Sequence, residues 1–223
     1  MLVFFVCVQE IHALDIEITG KEAEAHIRGE YNRNYNFYGD ISALGAVELN
    51  NRLAIKTGFS IGWAEGITDI KAFSGARFGL LAELPLGLGL SWIYNGLPEY
   101  EAHSHALLPV FYYSAKYWGI AIGPSFRFTS FFKELSIFEP TLSISVYANF
   151  VNNDIFRVGL NIANFNDFQA HTFGFFSLCL YSAIQITSRW AVLNELEIKQ
   201  SGIDGLTTSF YGVALRGGAR FTW

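Results

Sequence analysis

The sequence predicts an all-β fold, a closed antiparallel transmembrane β-barrel of twelve strands, and three observations lead there. Turn signals recur at Asn50-Asn51, Pro85, Trp118-Gly119, Asn152-Asn153-Asp154 and Thr187-Ser188, roughly 33 to 35 residues apart, with Trp223 one interval further on. Between them the residues alternate apolar and polar, run out, loop and return, which makes about six strand–loop–strand units. Composition is the third observation: charged residues are 16% and aromatic residues 17% of the chain, a poor surface for water. No run of about 18 apolar residues follows the first ten positions, so no helix is expected to span a bilayer. A chain in lipid without such a helix must close its strands on one another, because every backbone N–H and C=O has to be paired internally.

The N-terminus is set apart from this pattern. Leu2 to Val8 is unbroken apolar sequence and Gln9-Glu10-Ile11-His12-Ala13 follows it, which reads as a secretory signal peptide over residues 1–13, cut after Ala13. The basic n-region is missing, and an ordinary buried strand is the competing reading. Residues 14–223 then form a single barrel domain. Cleavage removes Cys7, which lacks the small preceding residues of a lipidation site, and leaves Cys179 without a disulfide partner. A net charge of −5 with no basic cluster argues against nucleic acid as a partner.

In a strand, side chains alternate between two faces, so each segment can be tested for whether its charges share one. Glu24, His26, Arg28 and Glu30 oppose Ala23, Ala25, Ile27, Gly29 and Tyr31. Asp40, Ser42 and Glu48 oppose Phe37, Ile41, Val47 and Leu49, and Lys56 opposes Leu53, Ile55, Phe59, Ile61 and Trp63. Lys71, Arg77 and Glu83 oppose Ile70, Ala72, Ala76, Phe78, Leu80 and Leu84. The sixth segment is the least regular, with Leu107, Phe111, Tyr113 and Tyr117 facing away from Lys116. Near the end, Glu195, Glu197 and Lys199 oppose Trp190, Val192, Leu196 and Ile198, with Asn194 the one polar residue on the apolar side.

A charged face could be the outside of a soluble lipocalin-like barrel or the inside of a membrane barrel. Segments without charge decide: Gly87, Gly89, Ser91, Gly119, Ala121, Gly123, Ser125, Ser143 and Ser145 are small, as a crowded interior requires. The opposite face is Leu, Ile, Val and Phe, with Trp and Tyr toward strand ends, the pattern of a transmembrane β-barrel. A Lys or Arg on that side near the bilayer midplane would cost about 2–4 kcal/mol.

The last strand places Tyr211, Val213, Leu215, Ala219, Phe221 and Trp223 opposite Arg216 and Arg220. This alternation resembles the C-terminal insertion signal of diderm outer-membrane proteins, with Trp in place of the commoner Phe and Gly217 interrupting the apolar series. The whole chain is similar in architecture to small outer-membrane porins and OmpW-like barrels of Gram-negative or spirochaete type, with no subfamily motif. The resemblance implies export through the periplasm, insertion into the outer membrane by the barrel-assembly machinery, contact with its lipid, and no cofactor or resident metal. It also implies short turns and both termini on the periplasmic side.

Outer loops are then expected near Asn32 to Asn34, Glu65 to Thr68, Gly96 to His105, Phe131 to Phe138, Asn166 to Ala170 and Gln200 to Thr208. All are short, which argues against a large loop plugging the lumen and against long loops displayed at the surface. They carry Glu65, Glu99, Glu101, Glu134, Glu139, Asp167 and Asp204 against Arg33 and Lys133, an acidic mouth that would attract cations.

Closure brings Arg216 and Arg220 beside Glu195, Glu197 and Glu24, either a salt-bridged seam or a charged constriction. Alternating signs favour the seam. Glu48 with Lys56 is expected to make another pair. His103-Ser104-His105, preceded by Glu99 and Glu101, is the one cluster that resembles hydrolase or metal-binding chemistry, yet it fits no hydrolase signature and reads as a polar loop. His26 and His171 read as lumen or rim residues, and Cys179 as a packed thiol on the inward face.

The expected function is therefore a passive, porin-like channel for small hydrophilic solutes, and not an enzyme. Its narrow lumen is lined by Glu24, Arg28, Lys56, Arg77, Arg127, Arg157, Glu195, Glu197, Arg216 and Arg220. A structural or host-contact barrel with a blocked lumen is one alternative, and a lipid-modifying enzyme using Ser104 and His105 is another. Ten strands is the alternative count, and the oligomeric state is left open.

Overall fold

Twelve strands carry the chain around one closed ring in sequence order. They are β1 (Ile18–Asn32), β2 (Asn36–Leu49), β3 (Leu53–Ala64), β4 (Ile67–Gly79), β5 (Leu86–Leu97), β6 (Ala102–Ser114), β7 (Trp118–Phe131), β8 (Leu135–Asn152), β9 (Phe156–Ala163), β10 (Phe175–Gln185), β11 (Trp190–Ser201) and β12 (Ser209–Thr222). Each pairs antiparallel with its neighbours, and β12 returns to β1 with Glu24↔Arg220 and Tyr31↔Val213 in register. The ring therefore has no free edge. This computed structural model describes residues 18–33, 36–49, 52–80, 85–132, 135–171, 174–201 and 209–223. The expected signal peptide 1–13 lies outside the described residues, as do Tyr35, Glu83, Leu84, Lys133, Glu134 and Asp204.

Strand faces follow the alternation of the sequence. On the outer surface Ile27, Phe111 and Leu215 are 68%, 65% and 65% exposed, whereas Arg28, Ser60, Ser125 and Ser143 inside are at 3% or less. A soluble barrel would carry the reverse, so the outward face is a surface for hydrocarbon. Aromatic residues gather at both ends. Trp190, Phe221 and Trp223 stack in series at the end that holds the C-terminus, and Trp92, Tyr94 and His105 do so at the other.

The connections are shorter than the sequence suggests. Of the loop expected from Gly96 to His105 only the 3₁₀ turn Pro98–Tyr100 and Glu101 after it remain, because β5 runs to Leu97 and β6 begins at Ala102. Pro98 fits the start of such a turn, where its missing N–H is not needed. Phe131 to Phe138 is likewise mostly strand, with β7 ending at Phe131 and β8 starting at Leu135.

One inward row positions the site. Glu24, Leu44, Gly58, Phe73, Ile93, Ala106, Arg127 and Glu139 stand directly beside one another across β1 to β8. A Cβ on Gly58 would lie 2.5 Å from Leu44 Cδ2, so the glycine lets Leu44 lie across β3. The middle of this row is apolar, which a water-filled lumen does not call for.

Candidate functional site

All ten residues expected to line the lumen sit on the inward parity of their strands, and most of them are paired. Arg28 on β1 donates to Glu30 (2.5 Å) and to Glu197 on β11 (2.9 Å), with Asp40 on β2 at 3.5 Å. Lys199 donates to both Glu30 oxygens at 2.8 and 3.0 Å. Arg28, Glu30, Asp40, Glu197 and Lys199 are all buried, so this network fills its share of the outer half of the barrel. Removing one member of such a network leaves a buried charge unpaired, a loss of about 3–5 kcal/mol.

Nearer the periplasmic end, Arg216 donates to Glu195 at 2.9 Å, a pair across β11 and β12. Glu24 faces His26 and Arg220 at 3.2 Å each and Lys56 at 4.0 Å. Arg127 donates to Glu139 at 2.8 Å. Arg77 lies over the Tyr112 ring, 5.8 Å from its centroid. The expected Glu48–Lys56 pair does not form, because Lys56 is in register with Ala46 while Glu48 is in register with Ala54. Lys56 instead reaches Asp167 at 2.7 Å.

That contact belongs to a feature absent from the sequence reading. Residues 164–171, between β9 and β10, fold into the lumen as a miniature hairpin closed by a Phe165↔Ala170 bridge. No large loop is needed to plug the lumen: this one is as short as the sequence suggests, but it is directed inward. Asn164, fully buried, anchors it. Its Oδ1 accepts from Ile144 N–H (2.8 Å), its Nδ2 donates to Leu142 O (2.6 Å), and its carbonyl accepts from His171 N–H (2.8 Å). Asn166 Oδ1 accepts from Phe168 N–H at 2.8 Å, an Asx turn that sets Asp167 and Phe168 at the tip.

Phe168, 6% exposed, packs with Leu44, Phe73, Ile93, Ala106 and Leu108, the apolar middle of the inward row and its neighbour. Its ring meets Phe73 edge-on at 6.5 Å between centroids. Arg127 also reaches the Ala170 carbonyl, at 3.4 Å. His171, outside the strands, closes the segment and stacks on Phe175, with 5.9 Å between ring centroids. Burial, and then the ammonium of Lys199, push it down to about 4.

Below this plug the lumen is hollow. A cavity of about 310 Å³ at the periplasmic end is lined by Lys116, Asn152, Arg157, Gln185 and Arg220. A second of about 230 Å³ shares Arg157, Ala183 and Arg220 with it and rises to Lys56, Asp167 and Leu44. The polar vestibule thus ends at the underside of the plug.

The remaining predicted features fall elsewhere. Asp167 and Glu139 turn into the lumen, so they do not contribute to an acidic outer mouth. At the rim, Glu65 accepts from Asn36 Nδ2 and Glu99 from the Thr68 N–H, each at 3.0 Å. His103 and His105 are on strand β6, not in a loop, and both face outward, in register with Gly96 and Tyr94. Ser104 has the opposite parity, so serine and imidazole cannot work on one substrate, which removes the geometric basis for the hydrolase alternative. Cys179 is on the inward face between Asn161 and Glu197.

Comparison with solved structures agrees with this architecture. The NanC porin superposes with a TM-score of 0.59 at 10% identity, covering 88% of this chain and 98% of that one. The chain has the fold of an outer-membrane β-barrel. An outer membrane channel from Pseudomonas putida F1 gives 0.56 at 7% identity, covering 95% of this barrel and 97% of that chain. The translocator domain of the autotransporter NalP from Neisseria meningitidis gives 0.53 at 11% identity, with 98% and 95% covered. No protein-family model and no curated protein sequence matches the barrel.

Strand parity put the lumen charges on the inward face, but the plug was not read from the sequence. The signal was present: Leu44, Phe73, Ile93 and Leu108 all fall on the inward parity, where an open lumen would hydrate them. Phe165 and Phe168 stand among the polar residues of the facing loop.

Proposed function

We propose that this chain is an outer-membrane channel for small hydrophilic solutes, held shut at mid-height by segment 164–171. The observation that carries the reading is the vestibule, which runs from the periplasmic end to the plug, where a short segment outside the strands blocks it. Passage needs that segment to leave its seat, not the barrel to deform. The ten predicted lining residues are the walls a solute would meet, and paired signs along them suit solutes of at most one net charge better than multiply charged ones. Export by removal of residues 1–13 and insertion through the signal on β12 belong to the same proposal.

A second reading has its own support: the nearly complete burial of Arg28, Glu30 and Asp40 fits a structural barrel with a permanently blocked lumen. Planar-bilayer recording separates the two. Deleting residues 166–169 is expected to turn rare, brief openings into a steady current. No current from either protein, with both folded, would favour the blocked barrel.

A further inference from the structure

We propose that the lumen holds a binding site for a small aromatic carboxylate, which Asp167 and Phe168 occupy from within the chain. Two features that an empty, hydrated channel does not need stand side by side on its wall. One is the apolar stretch Leu44, Phe73, Ile93 and Ala106, four inward side chains in adjacent register positions with Gly58 between the first two. The other is Lys56, one pleat nearer the periplasmic end of β3 than Gly58. The plug satisfies both at once: the Phe168 ring is buried on the apolar stretch, and the Asp167 carboxylate lies 2.7 Å from Lys56 Nζ.

A ring and a carboxylate a few bonds apart are therefore what this wall accepts. A solute carrying the same two groups competes with the plug for the same seat. It can reach that seat, because Leu44, Lys56 and Asp167 all line the upper vestibule cavity and the Lys56–Asp167 pair is about one-third exposed. A neutral arene would gain the apolar contact alone, and acetate the ammonium alone. Glu24, 4.0 Å from Lys56, keeps that ammonium in place when Asp167 leaves. The inference deepens the channel reading by naming a solute class, and it rests on that reading for one consequence, that occupancy opens the plug.

The test is titration calorimetry on the full chain in detergent micelles, with phenylacetate, acetate and benzyl alcohol as probes. Phenylacetate is expected to bind Phe168→Ala at least tenfold more tightly than the unaltered chain, since the internal competitor is gone. Asp167→Asn, a smaller change, should bind it several-fold more tightly. Lys56→Met in the Phe168→Ala background should lose tenfold for phenylacetate while benzyl alcohol stays within twofold. Acetate binding as well as phenylacetate, or no phenylacetate binding to either plug variant while both keep the folded barrel's gel mobility, overturns the proposal. Bilayer recording on the same samples distinguishes the two readings. Binding without current in any variant leaves the site standing and removes the channel, and current without binding does the reverse.

Discussion

Replacing Phe168 by alanine tests the plug at its anchor. The side chain is 6% exposed and docks on a wall already formed by the strands, so its truncation weakens docking and leaves the barrel's own pairing in place. Burying a phenylalanine is worth about 1.5–3 kcal/mol, and an edge-on aromatic contact such as the one with Phe73 adds about 0.5–1.5 kcal/mol. Alanine retains a small part of the first and none of the second, which leaves a loss of about 2–3 kcal/mol. Every 1.4 kcal/mol is about tenfold in the docking equilibrium, so the open fraction should rise roughly 30- to 150-fold. Single-channel recording in planar bilayers measures that fraction directly. Asp167→Asn gives the scale, because its ion pair is about one-third exposed and should move the open fraction only about two- to fivefold. An open fraction in Phe168→Ala within twofold of the unaltered protein, with folded gel mobility retained, would refute the idea that this ring holds the lumen shut.

Arg28→Met should destabilise the barrel by about 3–5 kcal/mol in urea titrations from vesicles, because Glu30, Asp40 and Glu197 lose their shared cation; a change under 1 kcal/mol would contradict the buried network. Leu215→Arg, on the lipid side, should cost about 2–4 kcal/mol in the same titration, and a neutral result would place that face in water. The docked plug holds His171 down to about 4, below a free imidazole, so the docked state binds fewer protons and docking weakens as pH falls from about 6.5 toward 4. Open probability should therefore rise over that window and stay flat across it in His171→Gln; a rise that persists in the variant would assign the effect elsewhere. Phe221→Ala with Trp223→Ala should slow insertion by the assembly machinery without lowering stability comparably, as followed by the appearance of heat-modifiable barrel.

How much of this was legible in the residues depends on whether a signal was local. Side-chain parity is local, so Glu24, Arg28, Glu195 and Arg216 could be placed inside from their own strands. Closing β12 onto β1 then made neighbours of Arg220 and Glu24. Lys56 shows the limit. Its partner depends on register across β2 and β3 and on a loop more than a hundred residues away, and a choice of sequence neighbours gave Glu48. The plug was obscured for a related reason. A loop's length says nothing of its direction, which is set by Asn164 bonding back onto β8 and by the apolar row opposite. His103 and His105 misled in the other sense: polar residues after Pro98 look like loop, but pairing with Gly96 and Tyr94 extends the strand through them.

One face of each strand meets hydrocarbon and the other a lumen that is wet below the plug. Nitroxide accessibility along β11, in reconstituted vesicles with both cysteines replaced, tests it most directly. Labels at Val192, Leu196 and Ile198 should relax with oxygen dissolved in lipid, and labels at Leu193 and Glu195, on the vestibule wall, with a water-soluble nickel chelate. Chelate contact at the first three and oxygen contact at the other two would mean a barrel turned inside out, with water and not lipid around it.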